Sequence, residues 1–165
     1  MNKATADDLA CIELQLGRTP RDVHAIAYRC PCGKPAVVET EPRLADGTPF
    51  PTFYYATCPR LTGAISTLES TGMMAQMNER LAVDAELSGA YSAAHDDYIA
   101  ARTALGIEVP EIKDISAGGM PNRVKCLHSL VAHSLSAGEG VNPLGDEALT
   151  ALPQWWLTDP CKSEE

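Results

Sequence analysis

The spacing of apolar residues changes character at Cys58-Pro59, and that change constrains the fold more than any other feature of the chain. Upstream the pattern has the period of strands. In "VHAIAYR" (23–29), Val23, Ala25 and Ala27 alternate with His24, Ile26 and Tyr28, which predicts a strand. "AVVET" (36–40) predicts a second strand, and the aromatic run "TFYYATC" (52–58) a third. The connection "PRLADGTPFP" holds an Asp46-Gly47 turn. A helix over 5–16 precedes the strands. Thr5 is its N-cap, Gly17 its stop, and Leu9, Ile12 and Leu16 share one face.

Downstream of Pro59 the period is helical. A helix starts with Pro59 in its first turn and ends by Gly72. A long helical region follows, broken near Asp84, with stripes through Met74, Met77 and Leu81 and then Leu87, Tyr91, Ala94, Tyr98 and Ala101. "IEVPEIKDISAGGM" reads as a loop. "PNRVKCLHSLVAHSLSAG" predicts a helix from Pro121 to Gly138, with Val124, Leu127, Val131 and Leu135 as its apolar stripe. A short helix in "NPLGDEALTALP" and a tail whose tryptophans pack back complete the chain. The expected fold is therefore α+β: a small antiparallel three-stranded sheet with a mostly helical C-terminal half. One domain is expected over 1–165, made of the helix and sheet (5–58), the helical part (59–157) and a tail (158–165).

With 165 residues, a core of useful size forms without covalent staples, so the six cysteines need another explanation. The first residues lack the apolar core of a signal peptide, and no stretch approaches a membrane span. A cytoplasmic protein is expected, where clustered cysteines point to metal or redox chemistry before structural disulfides. The net charge of −9 argues against nonspecific binding to nucleic acid. Arg18, Arg21, Arg29, Lys34, Arg43, Arg60, Arg123 and Lys125 mostly flank the cysteine segments, which reads either as ordinary solvated surface charge or as a positive surround to the site.

Four cysteines are candidate ligands. Cys30 and Cys32 stand together in "RCPCG", Cys58 closes the third predicted strand, and Cys126 lies in the first turns of a predicted helix, where a thiolate is favoured. Two sulfurs on one tetrahedral zinc lie about 3.8 Å apart. Residues i and i+2 of extended chain are roughly 6.7 Å apart, a bite better suited to different irons of one cluster. Cysteine followed by proline occurs twice, as it does at the end of a bacterial ferredoxin run. The leading expectation is an iron–sulfur cluster, of 4Fe–4S type, on Cys30, Cys32, Cys58 and Cys126, against which stands the plain reading of these cysteines as small buried hydrophobes. Gly33 permits a tight turn, and with it zinc as the alternative. A redox pair at Cys30 and Cys32 is a third reading, against which stands the strained ring of a C-x-C disulfide. Cys11 reads as packing and Cys161 as part of an acidic tail.

His133 is seven residues beyond Cys126 and is expected on the same helix face, with His128 pointing elsewhere. Either is a candidate ligand or proton carrier, against the commoner reading of a satisfied or surface histidine. His24 and His95 receive no role. In "SAGGMPNR", glycines precede the predicted helix start and Arg123 follows; the leading reading is a loop followed by a proline-started helix, with an anion pocket at the helix start as the alternative. No phosphate loop, dinucleotide fingerprint or nucleophile elbow is present.

"YRCPCGKPAVVETEPRLADGTPFPTFYYATCPRL" together with "SAGGMPNRVKCLHSLVAHSLSAGEGVNPLGDEAL" resembles the actinobacterial family known as domain of unknown function 501, from about residue 5 to Trp156. The resemblance carries the blocks C-P-C-G, T-C-P-R-L and K-C-L-H onto Cys30, Cys32, Cys58, Cys126 and His128. It implies no activity. Genes of the family often neighbour a septum-formation protein, which is association rather than mechanism.

The expected function is that of a cysteine-ligated metal protein, foremost an iron–sulfur protein in a redox, sensing or cluster-dependent catalytic role. A cluster with three thiolates would leave one iron open, with His128 or Arg123 near a substrate. The competing expectation is a zinc-stabilised, non-enzymatic interaction module serving cell division or envelope control. The partner is expected to be another protein or a small anionic ligand.

Overall fold

The computed structural model describes residues 3–20 and 22–157. The chain opens with α1 (Ala6–Leu16) and continues through β1 (Val23–Arg29), β2 (Pro35–Thr40) and β3 (Tyr54–Ala56). The helices α2 (Pro59–Glu69), α3 (Met73–Val83), α4 (Ala85–Thr103), α5 (Leu127–Ala137) and α6 (Pro143–Ala151) follow, with one 3-10 turn at Pro110–Ile112. The α+β class expected from the change of period at Pro59 is what the chain adopts.

The sheet is antiparallel with order β1-β2-β3. Val38 pairs with Ile26 on one side and Tyr55 on the other. Register irregularities run through the β1–β2 pairing, so strict alternation fails in β1 and the neighbours Ala25 and Ile26 are both buried. β3 is shorter than predicted, although Thr57 N–H still donates to Ala36 O at 2.8 Å and Thr40 N–H to Phe53 O at 2.8 Å.

Both faces of the sheet are covered. On one, Ile12 of α1 packs on Ile26 and Val38. On the other, Val37, Phe53 and Tyr54 join the main core with Leu127, Leu130 and Val131 of α5. Adjacent residues Val37 and Val38 thus serve opposite layers, as the two-residue period of a strand requires. α1 is fixed at its start by a capping box, with Asp8 N–H donating to Thr5 Oγ1 at 3.1 Å and Thr5 N–H to Asp8 Oδ2 at 3.0 Å. The Asp8 carboxylate also accepts two bonds from the Arg29 guanidinium, at 2.9 and 2.8 Å, tying α1 to the end of β1. Those bonds, against the opposing effect of burial, hold Asp8 down at a pKa of about 2.

α5 is the central helix, packing on the sheet, α2 and α6. Its approach to α6 is close enough that a methyl group on Gly145 would overlap the Leu130 carbonyl and the Ser134 hydroxyl. α4 supplies Tyr91, Ala94 and Tyr98 to the core, and Tyr98 Oη accepts from Tyr54 N–H at 3.1 Å. The break between α3 and α4 falls at Asp84, as expected, and the Asp84 side chain caps α4 by accepting from Leu87 N–H at 3.0 Å. Trp155 is buried and Trp156 packs edge-on against it at 4.7 Å, so the tryptophans do fold back. Cys161 lies outside the described residues.

One predicted helix starts in the wrong place. Pro121 sits in a turn after a cis peptide bond, and α5 begins only at Leu127. Cys126 is therefore the N-cap residue, extended at φ −154 and ψ 120, rather than a member of the first helical turns. Proline in the first turn of a helix and proline in a turn look alike in sequence, and here Gly118 and Gly119, both with positive φ, mark the turn.

Candidate functional site

The two cysteine-bearing segments fold differently. Residues 30–33 form the turn of the β1–β2 hairpin, with Gly33 N–H donating to Cys30 O at 2.8 Å and Cys30 N–H to Lys34 O at 2.9 Å. This is the tight turn that Gly33 permits, and the spacing of an extended chain does not apply across it. Cys30 points into the core and Cys32 is exposed. Cys58 is the N-cap residue of α2 and is fully buried in the same core cluster as Cys30.

Cys126 lies where several elements meet. Cys126 Sγ, one ring nitrogen of His128 and a carboxylate oxygen of Glu69 all stand within 4.8 Å of one another. Among the described residues this is the one cluster of three or more such groups at that spacing, and it takes in only one of the four predicted cysteine ligands. His128, expected to point away, is the histidine that reaches the sulfur. His133, expected to share its face, is fully buried instead: its Nε2 meets Asp97 Oδ2 at 2.9 Å and its Nδ1 meets Asn142 Nδ2 at 3.1 Å. The difference follows from the later start of α5. A residue at the N-cap does not share the helical phase, so counting seven residues onward from Cys126 predicts the wrong neighbour.

Glu69 went unseen in the sequence. It is the last residue of α2 and reaches across to α5, accepting from Leu127 N–H at 2.8 Å and meeting His128 Nδ1 at 3.2 Å. One carboxylate thus satisfies an orphan N–H at the start of α5 and orients the imidazole. A signal existed. An acid at the C-terminal end of a helix faces the negative end of the helix dipole, which is costly unless a partner is near.

Each of the three groups is held by a further contact. His128 Nε2 lies 3.3 Å from Ser66 Oγ. Glu69 Oε2 is fixed by the Leu127 amide. The Ser129 hydroxyl donates to Cys126 Sγ at 3.9 Å, a long contact even for sulfur. The hydrogen bond to Cys126, against the opposing effect of burial, and the adjacent Glu69 charge raise the pKa of His128 to about 9. Burial pushes the Cys126 thiol up, but hydrogen bonds from His128 and from Ser129, with the His128 charge, outweigh it and leave the thiol below its usual value. The contact between them therefore favours the proton on His128 and the thiolate form of Cys126.

Two clefts meet at Cys126 and Thr52. The first, about 470 Å³, is lined by Tyr54, Tyr55, Thr57, Thr62, Cys126 and His128 among others, with no lysine, arginine, aspartate or glutamate in its wall. The second, about 490 Å³, is walled by the loop from Ile115 to Lys125 and includes Arg123 and Lys125. No helix of the described residues is long and apolar enough to cross a membrane.

What fold and site define is an α+β protein with a mixed cysteine, histidine and glutamate cluster at the start of its central helix. Residues 26–150 match the family described as "Protein of unknown function (DUF501)", and the chain belongs to that family. No curated protein and no solved structure matches the chain.

Proposed function

We propose that the protein is a cysteine-ligated metal protein whose ion is held by Glu69, Cys126 and His128, with zinc as the metal. The observation that carries this reading is the convergence of the three donors to within 4.8 Å. Ligands of one tetrahedral zinc stand about 3.3 to 3.8 Å apart, and the 3.2 Å between His128 Nδ1 and Glu69 Oε2 is already close to that. A hydrogen-bonded relay running from sulfur through a ring to a carboxylate would place its two ends further apart than this. The contacts of Ser66 and the Leu127 amide are the kind that orient a ligating histidine and carboxylate from behind. Three protein ligands beside a cleft leave a coordination position for water or substrate, the pattern of catalytic rather than structural zinc. Such an ion would supply Lewis-acid activation of a bound water or carbonyl.

Elemental analysis of the full chain purified with added zinc tests this. About one zinc per chain is expected, with C126S and H128Q each losing it. Metal-free protein of normal stability under those conditions overturns the reading.

An iron–sulfur cluster on Cys30, Cys32, Cys58 and Cys126 is the second reading. Cys30 and Cys58 share the main core cluster, which is what speaks for it, while Cys32 is exposed and Cys126 half-buried outside that cluster. Thiolates on different irons stand further apart than ligands of a single ion, so the 4.8 Å criterion does not bear on it. Anaerobic purification giving brown protein, whose colour is lost in C30S and C58S, would establish this reading in place of the first.

A further inference from the structure

We infer that the loop walling the second cleft binds an anionic group, a carboxylate or a phosphate, of the molecule handled at Cys126. This deepens the metal reading by assigning the substrate's charge. It rests on that reading only for the statement that chemistry occurs next door.

The charge pattern comes first. The chain carries a net charge of −9, yet the residues lining the second cleft include Arg123 and Lys125 and no aspartate or glutamate. Thr52 and Asn122 add neutral hydrogen-bonding groups to the same wall. A cationic concavity on an acidic protein is an exception to the surrounding field, and it attracts small anions while the rest of the surface repels them.

The second argument is rigidity. Arg123 and Lys125 are exposed side chains whose own ordering still costs entropy, and what the fold supplies is a fixed backbone beneath them. Here the loop backbone is fixed before any ligand arrives. Arg123 N–H donates to Gly119 O at 3.0 Å and Lys125 N–H to Gly118 O at 2.8 Å. Tyr91, fully buried, donates from its hydroxyl to Arg123 O at 3.0 Å. Asn78 grips Val124 by both backbone groups: Val124 N–H donates to Asn78 Oδ1 at 2.8 Å and Asn78 Nδ2 to Val124 O at 3.1 Å. The two cations therefore flank a residue pinned from α3 and project from a backbone held from α4. Gly119 is part of the same construction. A methyl group there would meet the Arg123 carbonyl and the Lys125 chain, so only glycine lets the loop close this tightly.

Position is the third argument. The cleft walled by Arg123 and Lys125 and the cleft lined by Tyr54, Tyr55 and His128 share Thr52 and Cys126. A molecule crossing that ridge would place an anionic end against Arg123 and Lys125, an uncharged body along Tyr54 and Tyr55, and its middle at Cys126. Arg123 and Lys125 are binding residues in this scheme and take no part in bond making.

The test uses the full chain at low ionic strength and two probes, inorganic phosphate and acetate, followed by NMR titration of backbone amides. Saturable shifts in residues 117–126 are expected. R123Q and K125Q should each weaken binding about tenfold, a loss of one charge-assisted hydrogen bond. K113Q, on an unrelated cleft, should change it less than twofold. Tighter phosphate than acetate assigns a phosphate-bearing ligand, and comparable affinities assign a carboxylate. Both results support the shared chemistry. No saturable shift in the loop, or equal affinities in wild type, R123Q and K125Q, overturns it. Zinc uptake is measured on the same variants and should be unaffected. If zinc uptake fails while anion binding depends on the two cations, the metal reading falls and the anion site stands. If zinc binds and the cations make no difference, the opposite holds.

Discussion

The hairpin turn at Cys30–Gly33 and the loop ending at Cys126 are both glycine-bearing turns that present cysteine, and they have opposite characters. The hairpin turn is local. The backbone hydrogen bonds from Gly33 to Cys30 and from Cys30 to Lys34 close within the turn and the adjacent strand ends, and a methyl group on Gly33 would meet nothing within 4 Å. The loop at Cys126 is held by α3 and α4, and α2 sends Glu69 to its final residue's neighbours. The richer motif in sequence is C-P-C-G, yet the close cluster of donors forms at the plainer one. Tight sequence spacing alone does not aim side chains at one point, since Cys30 is buried and Cys32 exposed, whereas convergence of different donor types comes from separate elements meeting.

The largest expected contrast is in metal affinity. Cys126→Ser should lower zinc affinity at least a hundredfold in a chelator-competition titration, and Cys32→Ser should leave it within a factor of two. An equal loss in both variants would show that the hairpin contributes to the centre and would erase the contrast drawn above.

Next comes stability at the two glycines. Gly119→Ala forces a side chain both into a left-handed conformation, φ 91, and against the Arg123 carbonyl, and should cost about 2–3 kcal/mol in urea unfolding. Gly33→Ala meets only the conformational penalty at φ 90 and should cost about 1 kcal/mol. Similar costs at both sites would mean that the loop at Cys126 relaxes freely and is not held as described.

A smaller, second-layer effect is expected at Ser66. Ser66→Ala removes the partner of His128 Nε2 and should weaken zinc binding about tenfold without altering the thermal midpoint of the metal-free protein.

The smallest effect concerns the anchoring of the hairpin side. Asp8 has its pKa lowered from 3.8 to about 2 by the Arg29 guanidinium, so the folded form is favoured when Asp8 is ionised. That stabilisation is complete above about pH 5 and is lost as pH falls through 4 toward 2. The Arg29 side chain is 39% exposed, which screens the pair and leaves about 1 kcal/mol. Asp8→Asn should destabilise by that amount at pH 7 and by clearly less at pH 2, where Asp8 is about half protonated in the folded protein, measured by urea unfolding across the range.

Much of the fold could be read from local pattern. Thr5 and Gly17 delimit α1, Asp84 divides α3 from α4, and the β1 and β2 segments carry strand-type residues where strands form. The start of α5 could not, because Pro121 follows helix grammar but serves a turn, and the error shifted the phase of every residue counted from it. The site was half legible for the same reason. Cys126 and His128 are two residues apart and were named, but their alignment depends on the N-cap position. Glu69 is separated from His128 by 59 residues of sequence, and only the packing of α2 on α5 brings it there. Long-range juxtapositions of this kind leave no period in a single sequence beyond the misplaced charge at the end of α2.

The grip of Asn78 on Val124 has a consequence for engineering and for descent. The segment from Gly118 to His128 would not keep its shape if grafted onto another scaffold, since half of what defines it is donated by α3 and α4. The smallest transferable unit is the loop with both helices and the end of α2. Substitutions at Asn78 and at loop positions should accordingly be inherited together, and a relative lacking an amide side chain at that place would be expected to carry a differently shaped loop.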